Sequence, residues 1–549
     1  MRKLVCISLL MLVTTAAMAV PAKRGLWSTI TLSDGTQVRV ELRGDEHLHY
    51  LQATDGTCYV KNNGVYERVD AATLHARRVQ RKSSRRAIYA STADGLGEYG
   101  KMSMGSLPSI GEYTIPVVMV QFSDMEFQST TTVEKMTRYY NEEGYADEQY
   151  CVGSVRDYFK AQSGGMFVPT FDVVGIITLS KPYKYYGEHD ENDEEIVDKR
   201  VDDLPGDVIS AAVSQLGVDF SKYVVPAGDE NHSEGVPLMA MFFAGPGEAT
   251  EPMETGADYL WPCEWDATDD PIAQGNYAGV HFNSFFVGNE LNYDRTLMGM
   301  GVFCHETGHA LGLPDFYVTD YSYEGDSAFG PWSIMDSGCY INNAHAPVGY
   351  MAYEKSCMGW LELKEIGDAK EVTLQSPIGL AENSAYIIRS SDTETFIFEN
   401  RQPSTWYPKG MGSGVMVSRI AYDQEQWAIN TLNNIQSAKR ALMLTANNVT
   451  MDFGTNASLK NLYGNGVNSI QSMKTLSGED QAVNISNIVK NDDGTITLTI
   501  DTTTGISTIR QNSESSTMYY TLQGCYAGND YQQLNRGLYI VNGQKVVKK

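Results

Sequence analysis

Histidine is scarce in this chain, 9 of 549 residues, so any pair of histidines at a meaningful spacing stands out from the background. Positive charge is short as well: 42 Lys+Arg stand against 68 Asp+Glu, a net charge of −26. No domain-sized basic surface remains to hold a phosphate backbone, which excludes nucleic acid as the main partner. Long apolar runs are missing. No stretch reaches the roughly 18 apolar residues that a membrane-crossing helix needs, so no transmembrane segment is expected. The eight cysteines are scattered and form no C-x-x-C pair, which argues against a zinc ribbon or a dense disulfide scaffold. Internal repeats are absent too. What the chain does have is 42% hydrophobic and 10% aromatic residues, enough for a sizeable core and too much for a disordered chain. Its length suggests roughly two to four domains.

The first nineteen residues have the form of a secretory signal. Arg2 and Lys3 precede a short apolar run, Leu4 to Val13, and Ala17-Met18-Ala19 gives a small-x-small cleavage site. The protein is therefore expected to be exported, either released or held at the cell surface. Cys6 leaves with the signal. The seven that remain (Cys58, Cys151, Cys263, Cys304, Cys339, Cys357 and Cys525) are odd in number, so at least one thiol is unpaired.

Residues 20–109 read as a prosegment of short strands. In Gln37-Val38-Arg39-Val40-Glu41-Leu42 the apolar residues share one face. The stretch ends in a basic linker, Arg77 to Arg86, with six basic residues and no acid. Two readings stand for it: a solvated charge block, or an exposed site where an activating trypsin-like protease releases the prosegment. From 110 to 365, strand patterns such as Ile115–Phe122 and Pro237–Phe243 alternate with helical spacing around Val155, from Val208 to Leu216, and from Leu297 to Leu311. Beyond Glu365 the helical signals fade. Alternating runs at Thr395–Glu399 and Thr495–Ile500 suggest a β-sandwich-like accessory domain over 366–500. A linker (501–517) and a small C-terminal β module (518–549) complete an α+β chain.

Residues 305–315 read His-Glu-Thr-Gly-His-Ala-Leu-Gly-Leu-Pro-Asp. Four residues apart on a helix, His305 and His309 share a face and can reach one Zn²⁺. Glu306 beside the first of them can accept a proton from water and pass it to a leaving amine. Gly312 permits a positive-φ turn after the helix, and Pro314 keeps the helix from continuing. Asp315 can then return as third ligand, leaving a fourth position for water.

The spacing His-x3-His-x5-Asp resembles the metzincin zinc proteases, with Asp in place of their usual third His. Trp332-Ser333-Ile334-Met335-Asp336-Ser337-Gly338 is similar to their methionine turn, which implies that Met335 lies beneath the metal. Several metzincins carry a transition-state tyrosine two residues past that methionine. Ser337 stands there instead, leaving Tyr340 and His345 as substitutes. More narrowly, HETGHALGLPDFY with GPWSIMDSG resembles the immune inhibitor A family of secreted bacterial metalloproteases. SVRDYFKAQSGGMF (154–167), YYGEHDENDEE (185–195), MFFAGPGEA (241–249) and FENRQP (398–403) extend the likeness over roughly 110–440. The resemblance implies a zinc endopeptidase with a metzincin-like catalytic domain, an N-terminal inhibitory prosegment and a following β-rich domain. The last residues, GLYIVNGQKVVKK, resemble a terminal module common on proteins secreted by Bacteroides-like bacteria.

The same resemblance implies bound calcium. Asp190, Asp193 and Asp198 lie in an acidic run, and Asp320 and Asp326 follow the metal helix. No D-x-D-x-D-G loop is present, so a solvated acidic face competes with that reading. Cys58 is either a thiolate that holds zinc in the latent proform or a buried thiol. Two functions from different classes follow. One is a secreted zinc endopeptidase made as a zymogen and acting on protein or peptide substrates. The other is a non-catalytic protein, binding glycan or host protein through a protease-like fold and its β-rich domain. Intact Glu306 separates them, since a binding protein has no need of a base beside two ligands.

Overall fold

The computed structural model describes residues 18–548 apart from 46–47, 63, 71, 75–104, 189–197, 228–233, 253–257, 268–274, 321–326, 378–382, 408, 429, 452–455, 482, 503–518, 522–525, 529–533, 535–536 and 542–543. The proposed signal up to residue 17 and the basic stretch 77–86 lie outside the described residues.

Apolar runs make the central sheet. Met239–Pro246 and Ser284–Leu291 are buried at all eight positions each, the pattern of strands covered on both faces. They pair in parallel with each other. Thr114–Gln121 and Thr170–Thr178 continue the parallel run on the Met239–Pro246 side. On the other side Cys263–Asp266 adds an antiparallel strand, and against it lies the short strand Met18–Ala19. The sequence reading assigned residues 18 and 19 to the signal; in the fold they extend this sheet.

Helices pack on the sheet where the sequence supplies caps. Val155–Ser163 starts at a Ser154/Asp157 capping box and stops at Gly164 in left-handed conformation. Leu204–Ala211 passes into a π-turn, Ala212–Leu216. The helical pattern read from Leu297 is shorter in the structure, Gly301–Ala310. Leu297 instead bridges to Leu291, and the Met298 amide is held by the Glu290 carbonyl. All ten residues of this helix are buried, so it runs through the core rather than over it. Phe303 fixes it there, edge-on to Tyr140, Phe171 and Phe286 with centroids 4.9–5.4 Å away.

Upstream, five strands from Trp27 to Val69 form an antiparallel meander. Downstream, a five-stranded and a three-stranded sheet share an apolar cluster that includes Phe396, Phe398, Leu374, Ile488 and Leu498. Tyr519–Thr521, Tyr526–Gly528, Gly537–Val541 and Gln544–Lys548 make a last small sheet. The mixture of helices and sheets is α+β. Among the described residues no helix is long and apolar enough to cross a membrane. The six described cysteines are unpaired, five of them buried.

Candidate metal centre

The helix Gly301–Ala310 places His305 and His309 on one face, with their Nε2 atoms 3.1 Å apart. Each Nδ1 faces a backbone carbonyl, Ile334 at 2.6 Å and Leu313 at 2.7 Å. A carbonyl can only accept, so both Nδ1 atoms carry the proton, and in the neutral rings both Nε2 atoms present lone pairs.

The helix ends in a Schellman motif. The Gly312 amide bonds the His309 carbonyl and the Leu313 amide bonds the Gly308 carbonyl, with Gly312 at φ 97. That turn brings Asp315 back, with Oδ1 3.1 Å from His305 Nε2 and 3.3 Å from His309 Nε2. All three side chains are buried. Burial pushes the Asp315 carboxyl up, but when the rings are protonated the imidazoliums of His309 and His305 outweigh it and leave the group below the usual carboxylate range. Two lone pairs and a carboxylate oxygen thus converge on one point. Ligands 2.0–2.1 Å from a tetrahedral ion lie about 3.3 Å from one another, so the donor set fits a cation such as zinc. Among the described residues this is the one such group of three or more His, Cys, Asp or Glu.

Met335 lies beneath the metal helix. A Cβ on Gly308, between the two histidines, would stand 2.5 Å from the Met335 sulfur, so this contact requires glycine. The Phe316 amide bonds the Met335 carbonyl at 2.8 Å, which ties the chain after Asp315 to the same turn. Asp336, directly after Met335, accepts the Ser327 hydroxyl and the Ala328, Phe329 and Gly330 amides and so braces the turn from below.

Glu306 is fully buried, and its Oε1 accepts the Val20 amide at 2.7 Å. The segment after Ala19 thus lies in the cleft. Trp261 Nε1 donates to the Val20 carbonyl (3.1 Å), the Tyr340 hydroxyl to the Pro21 carbonyl (2.8 Å), and the Lys23 amide to the Ala249 carbonyl (2.8 Å). Tyr340 therefore faces the cleft as a peptide-carbonyl donor. His345 does not join it: its charged neighbours are Glu148, Asp294 and Lys23, and burial lowers its pKa.

Calcium gains no support. Asp198 accepts the Trp261 amide (2.8 Å), Asp320 joins no metal-binding group among the described residues, and Asp190, Asp193 and Asp326 lie outside them. Cys58 packs with Leu48, Tyr50, Val60, Leu74 and Tyr317 and is not part of the His-His-Asp group. Burial raises its pKa, the opposite of what a thiolate ligand needs. The cleft is instead filled by Val20 and Pro21, which no motif marked. Trp261 was missed as well, because a tryptophan 44 residues before His305 has no spacing signature.

Residues 115–363 match the family model for the immune inhibitor A peptidase M6 catalytic domain. Immune inhibitor A of Bacillus thuringiensis subsp. alesti is 28% identical over 269 residues, covering 43% of this chain and 37% of that protein. The pre-pro-metalloprotease PrtV of Vibrio cholerae serotype O1 (strain M66-2) is 28% identical over 198 residues, covering 34% of this chain and 21% of that protein. The aligned part of the chain thus spans well under half the length of either relative. Residues 115–363 are thus similar to the catalytic domain of the immune inhibitor A peptidases.

Proposed function

We propose that this protein is an exported zinc endopeptidase made as a zymogen, with a metzincin-like catalytic domain between a prosegment (20–109) and a β-rich domain (366–500). The observation that carries the reading is the convergence of His305 Nε2, His309 Nε2 and Asp315 Oδ1 within 3.3 Å, with both Nδ1 protons committed to carbonyls. Bound there, zinc supplies Lewis acidity and makes water acidic enough to react near neutral pH.

The chain's own residues do the rest. Glu306 Oε1 takes the proton from the attacking water and returns it to the leaving nitrogen. The Tyr340 hydroxyl already donates to the Pro21 carbonyl, and from that place it donates to the developing oxyanion. Cys263–Asp266 receives an extended peptide as an added antiparallel strand, as it receives Met18–Ala19. Met335 and Gly308 keep the two imidazoles in register from below.

Latency follows from the segment that fills this cleft. Export cleavage after Ala19 would leave the new α-amine of Val20 against Glu306, occupying the base and covering the ligands. Removal of the prosegment by cutting within 77–86 would then withdraw it. The name of the Vibrio relative, pre-pro-metalloprotease PrtV, likewise records a pre- and a pro-segment for that protein.

The test is incubation of the processed chain with a mixed peptide library read by mass spectrometry. Cleavage at internal peptide bonds is expected. A library left intact, by protein shown to have lost residues 1–86, would overturn the reading and favour a binding role.

A further inference from the structure

We infer that Asn430, in the β-rich domain, is a positioning residue that fixes the metal ligand Asp315 and thereby completes the zinc site from outside the catalytic domain. The inference rests on the zinc reading above.

Asn430 lies 115 residues beyond Asp315 and outside the matched span 115–363. It follows the short helix Gln424–Ala428, in the connection between the strands Gly414–Ala421 and Ala441–Leu444. Its side-chain amide grips Asp315 at two points. Nδ2 donates to Asp315 Oδ2 at 2.6 Å, and Oδ1 accepts the Asp315 amide at 2.9 Å. The carboxylate oxygen that Asn430 takes is the one not turned to the imidazoles. Holding Oδ2 therefore sets the rotation that aims Oδ1 at His305 and His309.

The backbone of Asn430 is fixed in turn. Its amide bonds the Trp427 carbonyl at 3.2 Å, and its carbonyl accepts the Thr319 hydroxyl at 2.6 Å. It sits at φ 53, a left-handed conformation that asparagine tolerates better than most residues. The residue is buried, so water does not compete for the clasp. Nearby, Asn433 holds the same loop at a different place: its Nδ2 donates to the Phe316 carbonyl and its Oδ1 accepts the Ala441 amide.

These contacts assign separate tasks. Asn433 ties the loop to the chain after the ligand, whereas Asn430 alone of the two reaches the ligand's carboxylate. Partners of this kind around a ligand typically change metal affinity by about 10–100-fold when lost.

The experiment measures zinc dissociation constants by competition with a chromophoric chelator, on full chains of wild type, Asn430→Gly and Asn433→Ala. Melting of the zinc-free proteins is followed in parallel. Glycine preserves the left-handed backbone and deletes the clasp. Asn430→Gly is expected to bind zinc about 10–100-fold more weakly, and its cobalt(II)-loaded form to show shifted d–d absorption. Asn433→Ala is expected to melt earlier with its zinc affinity within about threefold of wild type, because its side chain makes no contact with the carboxylate. Should Asn430→Gly fail to fold, Asn430→Ala carries the same expectation, since it likewise removes both arms of the clasp. Equal zinc affinity in wild type and Asn430→Gly, or equal weakening in Asn433→Ala, overturns the inference and leaves the zinc reading standing. A wild-type chain that binds no zinc overturns both.

Discussion

Replacing Glu306 with glutamine in the processed chain is expected to lower kcat about 10²–10⁴-fold, the usual contribution of a positioned acid–base group. The change is small in shape. Glutamine occupies the volume of glutamate and keeps one carbonyl-type oxygen, so the buried helix is not opened. What it removes is the proton acceptor at the point where the carboxylate now meets the Val20 amide, 2.7 Å away. Because Glu306 is not one of the three converging ligands, zinc content is expected to remain that of the wild type. The loss is expected in kcat with KM little changed, since the group acts when protons move rather than when peptide binds. Steady-state kinetics on one internally quenched peptide, with metal content measured on the same preparation, checks both halves. Activity within about threefold of wild type would remove Glu306 from the mechanism.

The second large effect concerns latency. A proform that begins at Gly25, and so lacks Val20–Arg24, is expected to cleave peptide up to about 10³-fold faster than the intact proform. Besides the Lys23 Nζ bond to Asn343 Oδ1, four hydrogen bonds to backbone groups of the segment anchor it in the cleft: the Val20 amide to Glu306, Trp261 to the Val20 carbonyl, Tyr340 to the Pro21 carbonyl, and the Lys23 amide to Ala249. At about 1 kcal/mol net for each they hold the cleft closed by about 4 kcal/mol. The segment covers the base directly, so removing it exposes the site without any cut at 77–86. Initial rates of the two proforms, with intact mass confirmed before and after, give the comparison. Equal rates would show that latency lies in the rest of the prosegment.

How much of this could be read from residues alone follows from the physics of each part. The ligand helix was legible because His305, Glu306 and His309 sit within one and a half turns, where helical geometry dictates who shares a face. Asp315 was legible because Gly312 and Pro314 mark a turn between it and the helix. The start of the helix was misread. Leu297 and Met298 are apolar at helical spacing, but a bridge to Leu291 and a bond to Glu290 hold them in extended form. Local pattern cannot foresee a partner supplied by the sheet. Asn430, Trp261 and Val20 lie 115 residues after Asp315, 44 before His305 and 285 before it. Their roles come from tertiary contacts, and no periodicity links them to the metal. His345 and Cys58 were candidates by residue type, and both are buried outside the His-His-Asp group.

The central claim is that one zinc ion on His305, His309 and Asp315 makes this chain a peptidase. It is tested most directly by measuring metal content and peptide cleavage on one sample of processed protein, before chelation, after it, and after zinc is returned. One zinc per chain, loss of cleavage on its removal, and recovery with one equivalent are the expected result. Undiminished cleavage by protein shown to be free of metal would contradict the account.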